Sequence, residues 1–143
     1  MKIKQISVFL ENKKGRLYEA LKVLQGERVN IRALSIADTS EFGILRMIVD
    51  KPEEAKKALE ENGFTAKLTN VVAVGVKDEP GGLAAVLAYL YEADLNVEYV
   101  YAFVKKAGEE AIVVMRTSNL EKTISVLQEK GVKIFSFEEL LNF

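Results

Sequence analysis

Val74-Gly-Val-Lys-Asp-Glu-Pro80-Gly-Gly-Leu-Ala-Ala-Val-Leu-Ala-Tyr-Leu90-Tyr-Glu-Ala-Asp-Leu-Asn-Val97 decides how the rest of the chain is read. Val74 and Val76 alternate as strand residues do, so their side chains share one face. Asp78-Glu-Pro-Gly-Gly is turn chemistry: proline presets φ, and glycine admits left-handed or closely approached backbone. Leu83, Leu87 and Leu90 then follow at i, i+4 and i+7, one stripe of a helix. The stretch reads as strand, elbow, helix and the start of a second strand at Asn96-Val97. Free N–H groups of the helix start point out of the elbow.

The same pattern stands 66 residues earlier. Gly15 corresponds to Gly81, Asn12 to Asp78, and Leu17, Leu21 and Leu24 to Leu83, Leu87 and Leu90. Asn30-Ile31 corresponds to Asn96-Val97. A shared register across four successive elements identifies a duplication of one unit. The first copy reads, in order, as a strand over Ile3–Leu10, the elbow Glu11–Gly15, and a helix to Gln25 stopped by Gly26. A strand over Val29–Asp38, the hairpin Thr39–Gly43 and a strand over Ile44–Val49 follow. The last of these is nearly continuous in apolar residues and is therefore central. A helix opening at Pro52, with Ala55, Ala58 and Leu59 buried, ends at Asn62-Gly63, and Phe64–Asn70 closes the unit as a strand.

The second copy repeats this, with a strand over Val97–Val104, a hairpin Lys105–Glu110 and a strand over Ala111–Thr117. A helix carrying Leu120, Ile124 and Leu127 ends at Lys130-Gly131, and a strand over Val132–Phe135 follows. Gly131 lies 68 residues after Gly63 because the second hairpin is two residues longer. Ser136-Phe-Glu-Glu139 has the form of a capping box opening a short helix over Phe137–Phe143. The expected fold is α+β: duplicated βαββαβ units at 1–69 and 70–143, with antiparallel sheets and helices packed on one face. Thr69-Asn70 is the one polar break between the copies, and no Pro/Ser/Gly tract separates them, so rigid coupling is expected. Copies this small bury modest cores, so the two are expected to pair side by side, and self-association through the remaining sheet edges is expected to give a homo-oligomer, most simply a dimer.

The chain's 143 residues are 49% hydrophobic and 29% charged, with a net charge of −1. That balance supplies no broad positive field for nucleic acid. Cysteine and histidine are both absent, which removes thiolate chemistry, disulfides, the commonest general base and the commonest metal ligand. No catalytic residue, metal ligand or cofactor site is expected. Glu53-Glu54, Glu60-Glu61, Glu109-Glu110 and Glu138-Glu139 fall at helix ends, hairpins or turns with no nucleophile beside them. Met1-Lys-Ile-Lys-Gln-Ile runs straight into strand alternation, and the longest apolar run, Leu83–Tyr91, is too short to span a bilayer. A cytoplasmic protein without membrane contact is expected.

Strand–elbow–helix units with Asp78-Glu-Pro-Gly-Gly-Leu83, the leucine stripe and Asn96-Val97 resemble the ACT domain, the amino-acid-sensing module of aspartokinase and phosphoglycerate dehydrogenase. The first copy departs in having Asn12 for the aspartate and Lys14 for the proline. The resemblance covers the whole chain and implies ferredoxin-like units without a catalytic domain. It also implies an amino-acid effector held between the glycine elbow of one ACT unit and the second-strand region of another. A helix N-terminus suits the carboxylate of such an effector, and an Asp or Asn oxygen can accept from its ammonium. Carried onto this sequence, the contacts are Asp78, Glu79, Gly81, Gly82 and Leu83, with Asn96 and Val97 from the partner side. Their counterparts are Asn12, Lys13, Gly15, Arg16, Leu17, Asn30 and Ile31.

Plainer readings stand beside these. Each glycine elbow also serves as a tight strand-to-helix connection, and Asn30 and Asn96 also serve as polar strand starters. Lys13, Lys14 and Arg16 form either an anion site or a solvated basic turn. Tyr99, Tyr101 and Phe103 form either a stacking platform for bases or ordinary sheet packing; the nucleotide-binding signature is missing. Two roles follow for the whole protein: an effector-binding regulator, or a regulatory subunit of an amino-acid metabolic enzyme whose elbows are purely structural.

Overall fold

A computed structural model describes residues 1–39, 41–103 and 108–142. The expected hairpin residue Ser40, the hairpin segment 105–107, the strand end Val104 and the helix end Phe143 lie outside the described residues. The elements are β1 (Ile3–Glu11), α1 (Arg16–Gly26), β2 (Ile31–Asp38), β3 (Phe42–Val49), α2 (Pro52–Glu61) and β4 (Thr65–Lys77). They continue as α3 (Gly82–Glu92), β5 (Val97–Ala102), β6 (Glu110–Thr117), α4 (Leu120–Glu129), β7 (Ile134–Phe135) and α5 (Phe137–Leu141). This is the α+β, duplicated βαββαβ architecture that the sequence calls for.

The chain forms two compact units, one of Lys4–Thr69 and one of Asn70–Phe143 together with Met1–Ile3. In the second, Lys2 forms an ion pair with Glu121, and Gln128 Nε2 donates to Met1 Sδ. The polar pair Thr69-Asn70 does not interrupt β4, which runs unbroken from Thr65 to Lys77. Extended backbone needs ladder partners on its edges rather than apolar side chains at every position. Strand order is β2-β3-β1-β4 in the first unit and β5-β6-β4-β7 in the second, so β4 supplies one strand to each.

In the first unit, Ile6, Val8 and Leu10 of β1 face Leu45 and Met47 of β3, and Ala20, Leu24, Ala55 and Leu59 of the two helices cover them. The second unit repeats the arrangement with Val72, Val74 and Val76, Val113 and Met115, and Val86, Leu90, Leu120 and Leu127. The apolar strand β3 is central, between β2 and β1. The leucine stripes do not bury evenly. Leu24 and Leu90 are at most 1% exposed, whereas Leu17 is 37% exposed. The buried side chains of α1 are Ala20 and Leu24, beyond its first turn, so Leu17 sits at the elbow's rim.

All four long helices end alike. The residue after the C-cap is left-handed, its N–H bonding back to the carbonyl three residues before it, and the next N–H bonds to the carbonyl five residues before it. In α2 and α4 the left-handed residues are Gly63 and Gly131; in α1 and α3 they are Arg28 and Asp94. Gly26, expected to stop the first helix, is instead its last helical residue. The motif is fixed by the buried residue that follows it, Val29, so the strained position falls where the core places it. The predicted capping box is present: Ser136 Oγ accepts from the Glu139 N–H, and Glu139 Oε1 accepts from the Ser136 N–H. Among the described residues, no helix is long and apolar enough to cross a membrane.

A Cβ at Gly63 would meet nothing within 4 Å, so Gly63→Ala isolates backbone strain. It should lower the unfolding free energy by about 1 kcal/mol, and Arg28→Gly should raise it, both read by urea denaturation. The Glu139 carboxyl is held below the usual glutamate range by its hydrogen bond from Lys133 and then by the Ser136 N–H. Lys13, Lys4 and Lys2 do the same to Glu11, Glu53 and Glu121. A depressed folded pKa gives stability that is present above the unfolded value, about 4.3, and is lost as pH falls through the folded one. Stability should therefore decline with acidification below that point, and Glu139→Gln should flatten part of the slope in pH-dependent urea melts.

Candidate functional site

The two elbows share one backbone. Glu79 N–H bonds to the Lys77 carbonyl at 2.9 Å, and Lys13 N–H to the Glu11 carbonyl at 2.8 Å. Gly82 N–H donates to the Glu79 carbonyl and Arg16 N–H to the Lys13 carbonyl, while Ala85 and Glu19 bond back to the carbonyls of Gly81 and Gly15. Gly15 and Gly81 are the N-caps, with φ of 88° and 83°, the left-handed region that favours glycine. Each elbow is tied to the hairpin beside it, Asn12 N–H to the Glu41 carbonyl and Asp78 N–H to that of Glu109.

Gly82 is a different requirement. A Cβ there would lie 1.9 Å from the Lys77 carbonyl oxygen, a backbone atom that cannot swing aside. The first turn of α3 therefore sits against the end of β4 more closely than any other residue would permit. Arg16 fills this position in the first elbow, where its N–H bonds to the Lys13 carbonyl at 3.3 Å, against 3.0 Å for Gly82 to the Glu79 carbonyl.

The second elbow opens on a cavity of about 400 Å³. Gly81, Gly82, Ala85, Val86 and Tyr89 of the elbow and α3 form one side, and Gly75, Gly131, Val132 and Lys133 another, with Lys77, Glu79 and Glu110 at its polar edge. Lys130 Nζ stands 5.6 Å over the Tyr89 ring, and Lys133 pairs with Glu139 at 2.8 Å. A broader depression of about 630 Å³ is lined by Lys77, Asp78, Glu79 and Gly108–Glu110. Asp78, Glu79 and Gly81 are exposed, Gly82 is buried, and Leu83 packs partly into the core. The arrangement offers helix N–H groups, a carboxylate and ammonium groups around an apolar hollow, which suits a small molecule carrying both charges.

The first elbow is filled instead. The Arg16 guanidinium lies 4.3 Å over the Phe64 ring and donates to Glu19 Oε2 at 2.9 Å. Lys13 pairs with Glu11 at 2.9 Å, so two of the three cations of the basic turn have acidic neighbours.

Asn30 and Asn96 stand away from the elbow of their own unit. Ile31 pairs with Val49 and Glu11 with Phe42, at opposite ends of β3. Val97 pairs with Thr117 and Lys77 with Glu110, at opposite ends of β6, roughly 23 Å apart at strand spacing. The backbones of Asn30 and Asn96 bond to Asp50 and Ser118, which fix the two strand starts. Tyr99 and Tyr101 are half-buried, and Tyr101 lies opposite Val114 on the sheet face away from the core cluster.

Sequence reasoning did not find the cavity wall: Gly75, Ala85, Val86, Tyr89, Val132 and Lys133. Two signals were there. Gly75 is an isolated glycine inside a strand, and Ala85 aligns with Glu19 across the repeat.

A domain model described as an ACT domain pair matches residues 1–143, and the chain belongs to that family. The crystal structure of a protein from Bacteroides thetaiotaomicron is 44% identical, covering 100% of this chain and 98% of its own, with a TM-score of 0.92. The ligand-free regulatory subunit of aspartate kinase from Thermus thermophilus has 17% identity, 88% and 91% coverage and a TM-score of 0.64. The same subunit from Thermus flavus has 19% identity, 87% and 88% coverage and a TM-score of 0.63. At that distance the two Thermus structures speak to fold alone. No curated protein matches the chain.

Gly82→Ala forces a backbone shift and should lower the unfolding free energy by about 1–3 kcal/mol, the usual cost of overpacking. Gly81→Ala meets nothing within 4 Å and should lose only the backbone term, about 1–2 kcal/mol. Ligand-binding assays on Gly81→Ala then report the elbow without a steric change. Unchanged stability in Gly82→Ala would show that the first turn of α3 is free to move.

Proposed function

We propose that the chain is a regulatory ACT-pair protein that binds a small amino acid and acts through that binding rather than by catalysis. The observation that carries the reading is the glycine elbow of the second unit, whose helix start opens on a cavity of about 400 Å³. The ligand's carboxylate faces the first-turn N–H groups of α3, within reach of Lys77. Asp78 or Glu79 accepts from its ammonium. Ala85, Val86 and Val132 of the cavity wall meet its carbon chain.

The far placement of Asn96 and Val97 supports a site completed by another ACT unit, supplied by a second copy of the chain in a homodimer. Those residues would then close over an elbow not their own. Coupling follows because a ligand that bridges two units binds the assembled form better than the separate one. The setting is cytoplasmic, with no cofactor, nucleic acid or membrane involved.

The subunit reading draws on the Thermus relatives, whose names are those of aspartate kinase subunits. In that case this chain too would serve a partner enzyme, with or without an effector of its own. The two readings separate in one experiment on the isolated protein. Calorimetry with each of the twenty common amino acids should give heat for at least one, and Asp78→Ala should weaken it about tenfold, 1.4 kcal/mol. Sedimentation with and without that amino acid should show tighter self-association when it is bound. Twenty silent titrations would leave only the subunit reading.

A further inference from the structure

The elbows have matching backbones and opposite contents. Arg16, Glu19 and Phe64 stand where the second unit has Gly82, Ala85 and Val132, and these last three line the cavity. Phe64 and Val132 hold the same place in the fold, each donating its N–H, at 2.9 Å, to a helix carbonyl five residues earlier. The Arg16 side chain is 23% exposed, and its Nε is shut off from solvent with no acceptor among the described residues. The charges at the mouth are reversed as well: Glu11 and Lys13, an ion pair, stand where the second unit has Lys77 and Glu79.

We infer that Arg16 closes the first elbow to small ligands, so that each chain offers one effector-accepting elbow, the second. A ligand entering the first elbow must lift a guanidinium from an aromatic ring and break its pair with Glu19. It would also leave a half-enclosed cation without partners. The second elbow carries Gly82, Ala85 and Val132 at the three corresponding positions, so a ligand entering it meets small side chains there, with Tyr89 on the wall and Lys77, Glu79 and Glu110 at the edge. The ligand's identity rests on the amino-acid reading above; the asymmetry rests on Arg16 alone.

The test uses the ¹⁵N-labelled full chain. Without ligand, the Arg16 Nε–H resonance, assigned by its loss in Arg16→Lys, should exchange slowly and be displaced by the Phe64 ring. Phe64→Val, or Glu19→Ala as the milder change, should return it toward the behaviour of exposed Arg28. Arg16 Nε–H exchanging as fast as that of Arg28 in the unmodified protein overturns the inference.

Each of the twenty common amino acids is then titrated while the Gly15 and Gly81 amides are followed. Gly81 should move and saturate at one equivalent per chain, with Gly15 still. Ala85→Glu combined with Val132→Phe should abolish the Gly81 response. Arg16→Gly combined with Glu19→Ala and Phe64→Val should add a Gly15 response and a second equivalent. Gly15 moving in the unmodified protein with the midpoint of Gly81 also overturns the inference. If Arg16 is protected and both glycines stay silent to all twenty, the amino-acid reading fails and the closed first elbow stands.

Discussion

The contact between the first turn of α3 and the last residue of β4 is the constraint on which the second unit depends. With a hydrogen at position 82, the helix N-terminus approaches the Lys77 carbonyl to a distance that any Cβ forbids. Beyond that approach, Val86 and Leu90 of α3 join Val74 and Val76 in one buried cluster. Gly82 also leaves space beyond the turn, because a glycine followed three positions later by alanine presents almost no side chain toward the α4–β7 connection. One missing Cβ thus gives both close packing on the core side and a hollow on the other.

The duplication shows what happens when the same backbone is given a side chain at that point. Arg16 must go somewhere. Phe64 offers its ring face and Glu19 its carboxylate, and the first elbow closes on itself. The exchange is a change of content without a change of fold, since the two elbows make the same set of hydrogen bonds, those within the turns agreeing to within 0.3 Å. Repeats of one ancestral unit can therefore diverge in what they bind while their sheets and helix ends stay matched.

The helix ends show the same economy of backbone. Four helices close with one motif, yet only two place glycine at its left-handed position. In α1 and α3, Arg28 and Asp94 take the strained conformation because Val29 and Leu95, the next residues, are drawn into the core. Burying such a side chain contributes roughly 1.5–3 kcal/mol, enough to offset a strain of about 1–2 kcal/mol.

Much of this was legible in residue order alone. Alternation in Ile3–Leu10, the leucine spacing after Gly15 and Gly81 and the common offset between copies determine the elements, their repetition and the fold class. These are local periodicities, and a period of two or of 3.6 residues needs no partner to be recognised. The capping box at Ser136 is equally local. What only the tertiary structure decided depends on contacts between residues far apart in the chain. These are the unbroken course of β4 through Thr69-Asn70, the rim position of Leu17, the helical place of Gly26 and, above all, the difference between the elbows. Arg16 meets Phe64 only after a helix, two strands and another helix have brought residue 64 back beside residue 16. No spacing rule marks a side chain as a plug until the space it fills has been built around it.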